Sequence, residues 1–250
     1  MKMIDTHCHL NFPQYNKQRD EVIHQCFAQG IKYLINIGTD LETSIKSIEL
    51  SNKYENIFCS VGFHPHDAES YDEDGIKSLL HNKKIVAIGE IGLDYYRNLS
   101  PRAVQQQVFR KQIRIAKANQ LPIIVHCREA EQDTFQILQD ENPEKVVFHC
   151  FSGDYNFAQE VLNQGWFISF TGIITYDKAR SRPVIQDVPL EKFFVETDAP
   201  FLTPHPFRGK LNKPYYVRYV IEKIAEIKNI SPNKIAEITT ANAIKFFHLL

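Results

Sequence analysis

The stretch "IDTHCHLNFP" (residues 4–13) decides between two α/β folds. In a doubly wound open sheet, the turn after the first strand carries Gly-x-Gly-x-x-Gly, and this stretch contains no glycine. It places His7 and His9 at the end of a strand instead. Because the functional groups of a (β/α)8 barrel collect at the carboxyl ends of its strands, the stretch favours the barrel.

Eight short apolar runs recur along the chain, and each is followed by a segment with helical apolar spacing. The runs cover residues 3–8, 33–38, 57–63, 85–93, 122–127, 145–150, 166–172 and 192–198. The helical segments cover residues 17–29, 41–53, 73–81, 101–119, 129–140, 154–164 and 177–187, with 213–228 and 232–248 after the last run. Runs that are apolar at nearly every position indicate parallel strands covered on both faces. We therefore predict an α/β fold, a (β/α)8 TIM barrel, in which residues 1–250 form a single domain.

Several residues predict where helices begin and end. Ser100 and Pro101 read as the N-cap and the first residue of the fourth helix, because proline fits the first helical position. Gly30 and Gly165 fall where the first and sixth helices should stop.

Charge and cysteine content limit the classes of partner and compartment. Lys and Arg (29) nearly balance Asp and Glu (30), so any binding of a polyanion must come from a local patch. The five cysteines are widely spaced without Cys-x-x-Cys, which indicates reduced thiols. The sequence shows neither an apolar signal segment nor a run of about 18 apolar residues, so we expect a cytoplasmic protein.

Polar residues collect at the predicted carboxyl ends of six of the eight strands. They are His7 and His9 on the first, His64 after the third, Glu90 on the fourth, His126 on the fifth, His149 on the sixth and Asp198 on the eighth. Buried imidazoles and carboxylates each need a partner, so a group of seven among apolar strands indicates a common ligand. Imidazole and carboxylate together suit one or two divalent cations, and Glu90 is the natural candidate to bridge two.

The dipeptide His-Cys occurs three times, at residues 7–8, 126–127 and 149–150, which raises the question of mixed His/Cys ligation. In a strand the side-chain period of two points His7 and His9 to one face and Cys8 to the other. We therefore predict that the histidines carry the chemistry and that the cysteines pack as small hydrophobic residues.

The motifs "IDTHCHL", "VGFHPH", "AIGEIGLDYYR", "PIIVHCREA", "HCFSG", "SFTG" and "VETDAPFLTP" together resemble the TatD family of metal-dependent deoxyribonucleases, within the amidohydrolase superfamily. The resemblance runs from residue 3 to "TTANAIKFF" (239–247). It implies a metal-dependent hydrolase, with 3′-to-5′ exonuclease action on single-stranded DNA, and RNA as a further substrate. The fourth strand has Glu90 and no lysine, which favours this family over relatives that bridge their metals with a carbamylated lysine.

The resemblance also implies a set of residue roles. Two divalent ions (Mg, Mn, Zn, Ni or Co) would be bound, one by His7, His9, Glu90 and Asp198 and the other by Glu90, His126 and His149. A metal-activated water would attack the phosphodiester, Asp198 would take its proton, and His64 would contact the scissile phosphate.

Substrate contacts are predicted on the loops that follow the strands. Arg97, Arg128 and Arg208 are the candidates for phosphate binding, with Lys210 as a weaker one. The aromatic residues Tyr95, Tyr96, Phe151 and Phe201 lie in the same loops, where they either stack on unpaired bases or cover the ends of the strands. The expected partner is the end of a single-stranded nucleic acid, with no membrane and no obligate protein partner.

Two other functions stay open from the sequence. An ester or amide hydrolase, such as a D-aminoacyl-tRNA deacylase, would use the same activated water, because the ligands do not distinguish a carbonyl from a phosphoryl target. A catalytically silent barrel used as a binding scaffold would be recognised by a lost ligand, and no ligand of the family pattern is lost here.

Overall fold

Eight short strands alternate with helices along the chain in the computed structural model, which describes residues 1–176 and 182–249. The order of the strands in the sheet is their order in the chain. Their bounds are β1 Met3–Cys8, β2 Ile31–Ile37, β3 Ile57–Val61, β4 Ile85–Asp94, β5 Ile123–Arg128, β6 Val146–Phe148, β7 Phe167–Phe170 and β8 Phe193–Val195. All eight predicted strands are therefore found, several of them shorter than the apolar runs that predicted them.

The helices also follow the predicted pattern. They are α1 Arg19–Ala28, α2 Leu41–Lys53, α3 Glu73–Leu79, α4 Arg102–Ala118, α5 Glu131–Glu141, α6 Tyr155–Asn163, α7 Arg182–Asp187, α8 Val217–Lys228 and α9 Pro232–Phe247. The first part of the helix predicted over 177–187, residues 177–181, lies outside the described residues.

Side-chain caps explain why several helices begin where they do. Asp40 accepts a hydrogen bond from the Thr43 amide, and the Thr43 hydroxyl lies against the Asp40 amide, a reciprocal capping box that sets the start of α2. Gly30 and Gly165 adopt φ of 95° and 80° just after α1 and α6, as predicted for helix ends. The expected start of α4 was wrong by one residue: Pro101 is the N-cap, and the Ser100 hydroxyl donates instead to the His66 carbonyl.

The chain divides into two compact units, and the first contains Met1–Asn36 and Cys150–Leu250. In this unit β7 pairs in parallel with β8, β1 pairs with β2, and Cys8 bridges to Ala199 just after β8. Aromatic rings fill its core, where Phe194 stacks on Phe167 at 4.9 Å and contacts Phe246 of α9. The single domain predicted for residues 1–250 stays a prediction.

The second unit contains Ile37–His149, and its strands β3 to β6 pair in parallel. Every residue of β4 is buried, which explains why this strand reads as a continuous apolar run interrupted only by glycine and acidic residues. Gly92 of β4 is opposite His126 of β5, and a Cβ atom at this position would lie 2.0 Å from the His126 carbonyl oxygen. The close approach of these two strands therefore requires glycine.

Two buried glutamines on α4 bind the backbone at the ends of two strands. Gln112 accepts a hydrogen bond from the Phe63 amide at 2.7 Å and donates to the Phe63 carbonyl at 3.0 Å. Gln105, two turns earlier, accepts from the Asp94 amide at 2.9 Å and donates to the Asp94 carbonyl at 3.3 Å. Since Phe63 precedes His64, α4 holds the backbone beside two polar positions at the carboxyl ends of β3 and β4.

We predict that Gln112→Leu lowers the free energy of unfolding by about 2–4 kcal/mol, because it leaves the buried amide and carbonyl of Phe63 without partners. Denaturant unfolding of the purified protein measures this change. The control is Gln136→Leu, which removes an exposed glutamine that bonds only Asp140 on its own helix α5. Equal unfolding midpoints for Gln112→Leu and the control would contradict the prediction.

Candidate functional site

Three polar side chains of the first unit meet at the ends of β1 and β8. His7 Nε2 and His9 Nε2 lie 3.2 Å apart, and Asp198 Oδ1 lies 3.2 Å from His9 Nε2 and 3.6 Å from His7 Nε2. The period of two along β1 brings both imidazoles to one side, as the sequence predicts. We call His7, His9 and Asp198 the first cluster.

The buried Asp5, two residues before His7 on β1, supports the first cluster. Asp5 Oδ1 accepts from the amides of His7 at 3.2 Å and Thr197 at 2.9 Å, and Asp5 Oδ2 accepts from the Thr197 hydroxyl at 2.5 Å. The Asp198 amide also donates to the His7 carbonyl at 2.9 Å. Burial raises the pKa of Asp5 well above its ordinary value, against the effect of these donors. Asp5 therefore fixes the backbone on both sides of the cluster.

The second unit contains a larger cluster around one carboxylate. Glu90 Oε1 lies 2.7 Å from both His126 Nδ1 and His149 Nε2 and 3.5 Å from His64 Nε2. Burial acts to raise the pKa of Glu90, but the imidazoles of His149 and His64 outweigh it and hold that pKa well below its ordinary value. The carboxylate is therefore ionised. We call Glu90, His126, His149 and His64 the second cluster.

The second nitrogen of His126 is bound by a carboxylate that the sequence did not single out. Asp94 Oδ2 lies 3.1 Å from His126 Nε2 and 2.9 Å from His66 Nε2. Burial opposes ionisation of Asp94, but hydrogen bonds from His126 and His66 hold its pKa below the ordinary value. An ionised Asp94 accepts the Nε2 proton of His126, which leaves the Nδ1 lone pair directed at Glu90 and His149.

The donor atoms of both clusters fit divalent metal ions. Metal–ligand bonds of about 2.0–2.2 Å at octahedral to tetrahedral angles place neighbouring ligand atoms roughly 2.8–3.6 Å apart, and the three separations in the first cluster, 3.2, 3.2 and 3.6 Å, match this range. Each imidazole Nε2 holds at most one proton, so hydrogen bonds alone cannot satisfy all three close pairs of acceptor atoms. In the second cluster, His126 Nδ1 and His149 Nε2 lie 3.3 Å apart with Glu90 Oε1 between them. Nitrogen and oxygen donors of this kind suit Zn, Mn, Co, Ni or Mg.

The cysteines of the three His-Cys pairs take no part in these clusters. Cys8 is fully buried and its thiol donates to the Ile35 carbonyl. Cys150 Sγ lies 3.5 Å from the Thr171 hydroxyl. Burial raises the pKa of Cys127 to about 12, so its thiol stays protonated.

The predicted phosphate-binding residues are exposed, but Arg128 is the last residue of β5 and not part of a loop as expected. Arg128 is two residues beyond His126 in β5, and its guanidinium carbon lies 3.9 Å from the centre of the Tyr96 ring. Arg97 is exposed on the loop after β4. Arg208, in the first unit, packs 4.5 Å over the Tyr176 ring, and Lys210 is exposed two residues later.

The predicted base-stacking residues divide into two groups. Tyr96 and Phe201 are 56% and 44% exposed. Phe151 is buried against Phe157, which favours the alternative in which it covers the ends of the strands over the one in which it stacks on bases. The Tyr95 hydroxyl donates to Asp133 and accepts from Gln106, which fixes this ring between α4 and α5.

Sequence reasoning missed four residues that surround the clusters. They are Asp5, His66, Asp94 and Glu196, whose carboxylate accepts from the Cys150 amide at 2.7 Å. Asp5 and Glu196 each precede a predicted ligand by two residues, and Asp94 follows Glu90 by four. The same period of two that identified His7 and His9 could therefore have found three of them.

Within residues 1–176 and 182–249, no helix combines the length and the apolar character that crossing a bilayer demands.

Comparison with known families and proteins identifies close similarity over the whole chain. The model of the TatD-related DNase family matches residues 4–248. YabD of Bacillus subtilis, named as an uncharacterized metal-dependent hydrolase, is 42% identical and the alignment covers 99% of both chains. A Salmonella typhimurium protein named 3′-5′ ssDNA/RNA exonuclease TatD is 34% identical, with 99% of this chain and 100% of the relative covered.

Solved structures show the same similarity in fold. YJJV, a TatD homologue from Escherichia coli, superposes with a TM-score of 0.92 at 28% identity, and 98% of each chain is covered. A TatD-family hydrolase from Entamoeba histolytica gives a TM-score of 0.89 at 25% identity, with 100% of this chain and 99% of the other covered. The predicted (β/α)8 barrel is therefore confirmed.

We predict that His7→Ala lowers the bound divalent metal by about one ion per chain, because it removes a donor that contacts both other atoms of the first cluster. Cys8→Ala should leave metal content unchanged, because the thiol is bonded to the Ile35 carbonyl. Elemental analysis after gel filtration measures both variants. Loss of metal in the Cys8 variant would show that the neighbouring residues were assigned the wrong way round.

We predict that Asp94→Asn weakens metal binding by about 10- to 100-fold, because the amide no longer holds His126 in the tautomer that directs Nδ1 at Glu90. Titration of the metal-free protein with Zn²⁺ or Mn²⁺ gives the affinity. Asp133→Asn on α5, which alters an exposed carboxylate bonded to Tyr95, is the matched control. An unchanged metal affinity in Asp94→Asn would show that Asp94 does not hold His126 in place.

Proposed function

Because the chain belongs to the TatD-related DNase family of metal-dependent hydrolases, we propose that it is a 3′–5′ exonuclease that cleaves single-stranded DNA, and also RNA, from the end. The observation that carries the proposal is the pair of buried His/carboxylate clusters at the carboxyl ends of the strands. The relative named as an ssDNA/RNA exonuclease, which is 34% identical over nearly the whole chain, supports the choice of substrate.

We assign two divalent ions to the clusters. His7, His9 and Asp198 would hold the first ion, and Glu90, His126 and His149 would hold the second. Glu90 would also be a ligand of the first ion, a part of the proposal that comes from the resemblance to the family. When bound, such ions polarise a phosphodiester oxygen and lower the pKa of water at the site.

Asp198 is the proposed general base. Its Oδ1 is directed at His7 and His9, and the side chain is 15% exposed, so its carboxylate remains accessible to a water molecule. The carboxylate takes the proton as the water oxygen bonds to the phosphorus atom, while the bond from phosphorus to the 3′-oxygen of the neighbouring nucleotide breaks and that oxygen leaves and takes up a proton.

His64 is the proposed contact to the scissile phosphate. Its Nδ1 accepts a hydrogen bond from the His66 amide at 3.1 Å, so in the neutral ring the proton is on Nε2. Burial and the nearby His126 lower the pKa of His64, against the effect of Glu90, which favours this neutral ring. Nε2–H therefore donates a hydrogen bond to a phosphate oxygen without adding a charge.

Phosphate binding beyond the scissile bond is assigned to exposed arginines. Arg97 and Arg128 lie in the second unit near the second cluster, and Arg208 lies on the loop after β8 in the first unit. A net charge of −1 for the chain means that these local cations must supply the attraction for the strand. A cytoplasmic location stays part of the proposal, with the five free cysteines in support.

We predict chelator-sensitive release of nucleotides from 5′-labelled single-stranded DNA, restored by Mg²⁺, Mn²⁺ or Zn²⁺. D-aminoacyl-tRNA is the parallel substrate, and cleavage of its ester without any oligonucleotide cleavage would replace the nuclease with an ester hydrolase.

We predict that Asp198→Asn lowers kcat on single-stranded DNA by about 10²- to 10⁴-fold through loss of the general base. An Asp198→Asn protein that binds metal and retains near-normal turnover would rule out that role.

A further inference from the structure

The loop between β4 and α4 presents the most exposed aromatic ring of the described residues. Tyr96 is 56% exposed, and the Arg128 guanidinium lies 3.9 Å from the centre of its ring. Arg128 follows His126 by two residues in β5, so both side chains leave the strand on the same side. The Tyr96–Arg128 pair therefore lies about 6.6 Å along the strand from a residue of the second cluster.

The backbone around Tyr96 is held rigidly by the strand ends. The Tyr95 amide donates to the Arg128 carbonyl at 2.9 Å. The Arg97 amide donates to Asp94 Oδ1 at 2.7 Å, and the Asn98 amide donates to the Asp94 carbonyl at 3.2 Å. Because Asp94 also binds His126, the exposed ring is in fixed register with the cluster, and little ordering is needed when a ligand binds.

Both residues of the Tyr96–Arg128 pair remain available to bind a ligand. Over residues 1–176 and 182–249, Arg128 forms no ion pair with a carboxylate, although Glu129 and Glu131 are close in sequence. Its stacking on Tyr96 keeps the planar guanidinium extended, and all its N–H donors are available to a phosphate. Arg128 lies over one face of the Tyr96 ring, and more than half of the residue stays exposed.

We propose that Tyr96 and Arg128 form a nucleotide subsite in which Tyr96 stacks on an unpaired base next to the scissile phosphate, while Arg128 binds a phosphate of the same strand. This inference rests on the proposed nuclease function and adds recognition of the base itself. In a duplex, each base is stacked and paired with its neighbours, so its face is not available to Tyr96. The subsite therefore selects single-stranded ends.

The test compares intact single-stranded DNA with oligonucleotides that carry a tetrahydrofuran abasic residue at the terminal or the penultimate 3′ position. The metal-loaded enzyme should cleave intact DNA about 5- to 100-fold faster, as kcat/KM, than one of the two abasic strands. Tyr96→Leu should lower kcat/KM on intact DNA by a similar factor and remove the preference. Tyr96→Phe should keep the preference, because the ring remains.

Tyr54→Leu is the matched control. Lys53 lies 5.1 Å over the Tyr54 ring, which makes another cation–aromatic pair in the second unit. Tyr54, however, follows α2 and lies before the amino end of β3. This variant should leave both kcat/KM and the preference for the intact strand unchanged.

The outcomes separate the two proposals. If wild-type protein degrades oligonucleotides and Tyr96→Leu keeps the preference for the intact strand, the base subsite is overturned and the nuclease stands. An equal loss on intact and abasic strands would mean that Tyr96 only positions Arg128, which also overturns base recognition. If the wild-type protein cleaves no oligonucleotide, both proposals fall.

Discussion

The hydrogen bond between Asp94 and His126 is the interaction on which the second unit depends. Asp94 Oδ2 accepts from His126 Nε2, and the Asp94 backbone is itself bound by Gln105 of α4. Through the Arg97 amide, the same carboxylate holds the loop that carries Tyr96. An ionised carboxylate that is almost fully buried is stable only because two imidazoles and a backbone amide donate to it. Asp94 thus joins helix α4 through its backbone, and a candidate metal ligand and the loop expected to contact substrate through its side chain.

Asp5 has the corresponding part in the first unit. It is fully buried, and it accepts hydrogen bonds from the backbone of His7, a member of the first cluster, and from Thr197, which precedes Asp198. Burial raises the pKa of Asp5, whereas paired imidazoles keep the pKa of Asp94 low, so the two aspartates differ in their electrostatics. Asp94 acts on a ligand through its charge, and Asp5 acts through hydrogen bonds that fix the backbone. Each aspartate therefore controls the geometry of a candidate metal site without itself contacting the metal ion.

Local sequence predicted the fold and the convergence of His7 and His9, because both follow from short-range periodicity. The bounds of α2, Leu41–Lys53, match the expectation because Asp40 and Thr43 cap the helix through neighbouring residues. Asp94, by contrast, was missed because its role depends on His126 and His66, which are 32 and 28 residues away. The sequence left two alternatives open for Phe151, since a loop aromatic looks the same in sequence whether it packs on Phe157 or faces solvent. Contacts between distant segments thus account for most of what the sequence left out.

The choice of substrate must come from residues other than the metal ligands. Imidazole and carboxylate donors activate water toward a carbonyl or a phosphoryl group alike. An unpaired guanidinium discriminates between them, because its planar donors match phosphate and remain uncompensated when a neutral ester binds. Within the part of the chain that the structure describes, Arg128 has this property, and it is fixed beside the second cluster by Tyr96. Because the net charge is only −1, the attraction for a strand must come from local cations such as this one. This favours the end of a single strand over a long duplex as the substrate.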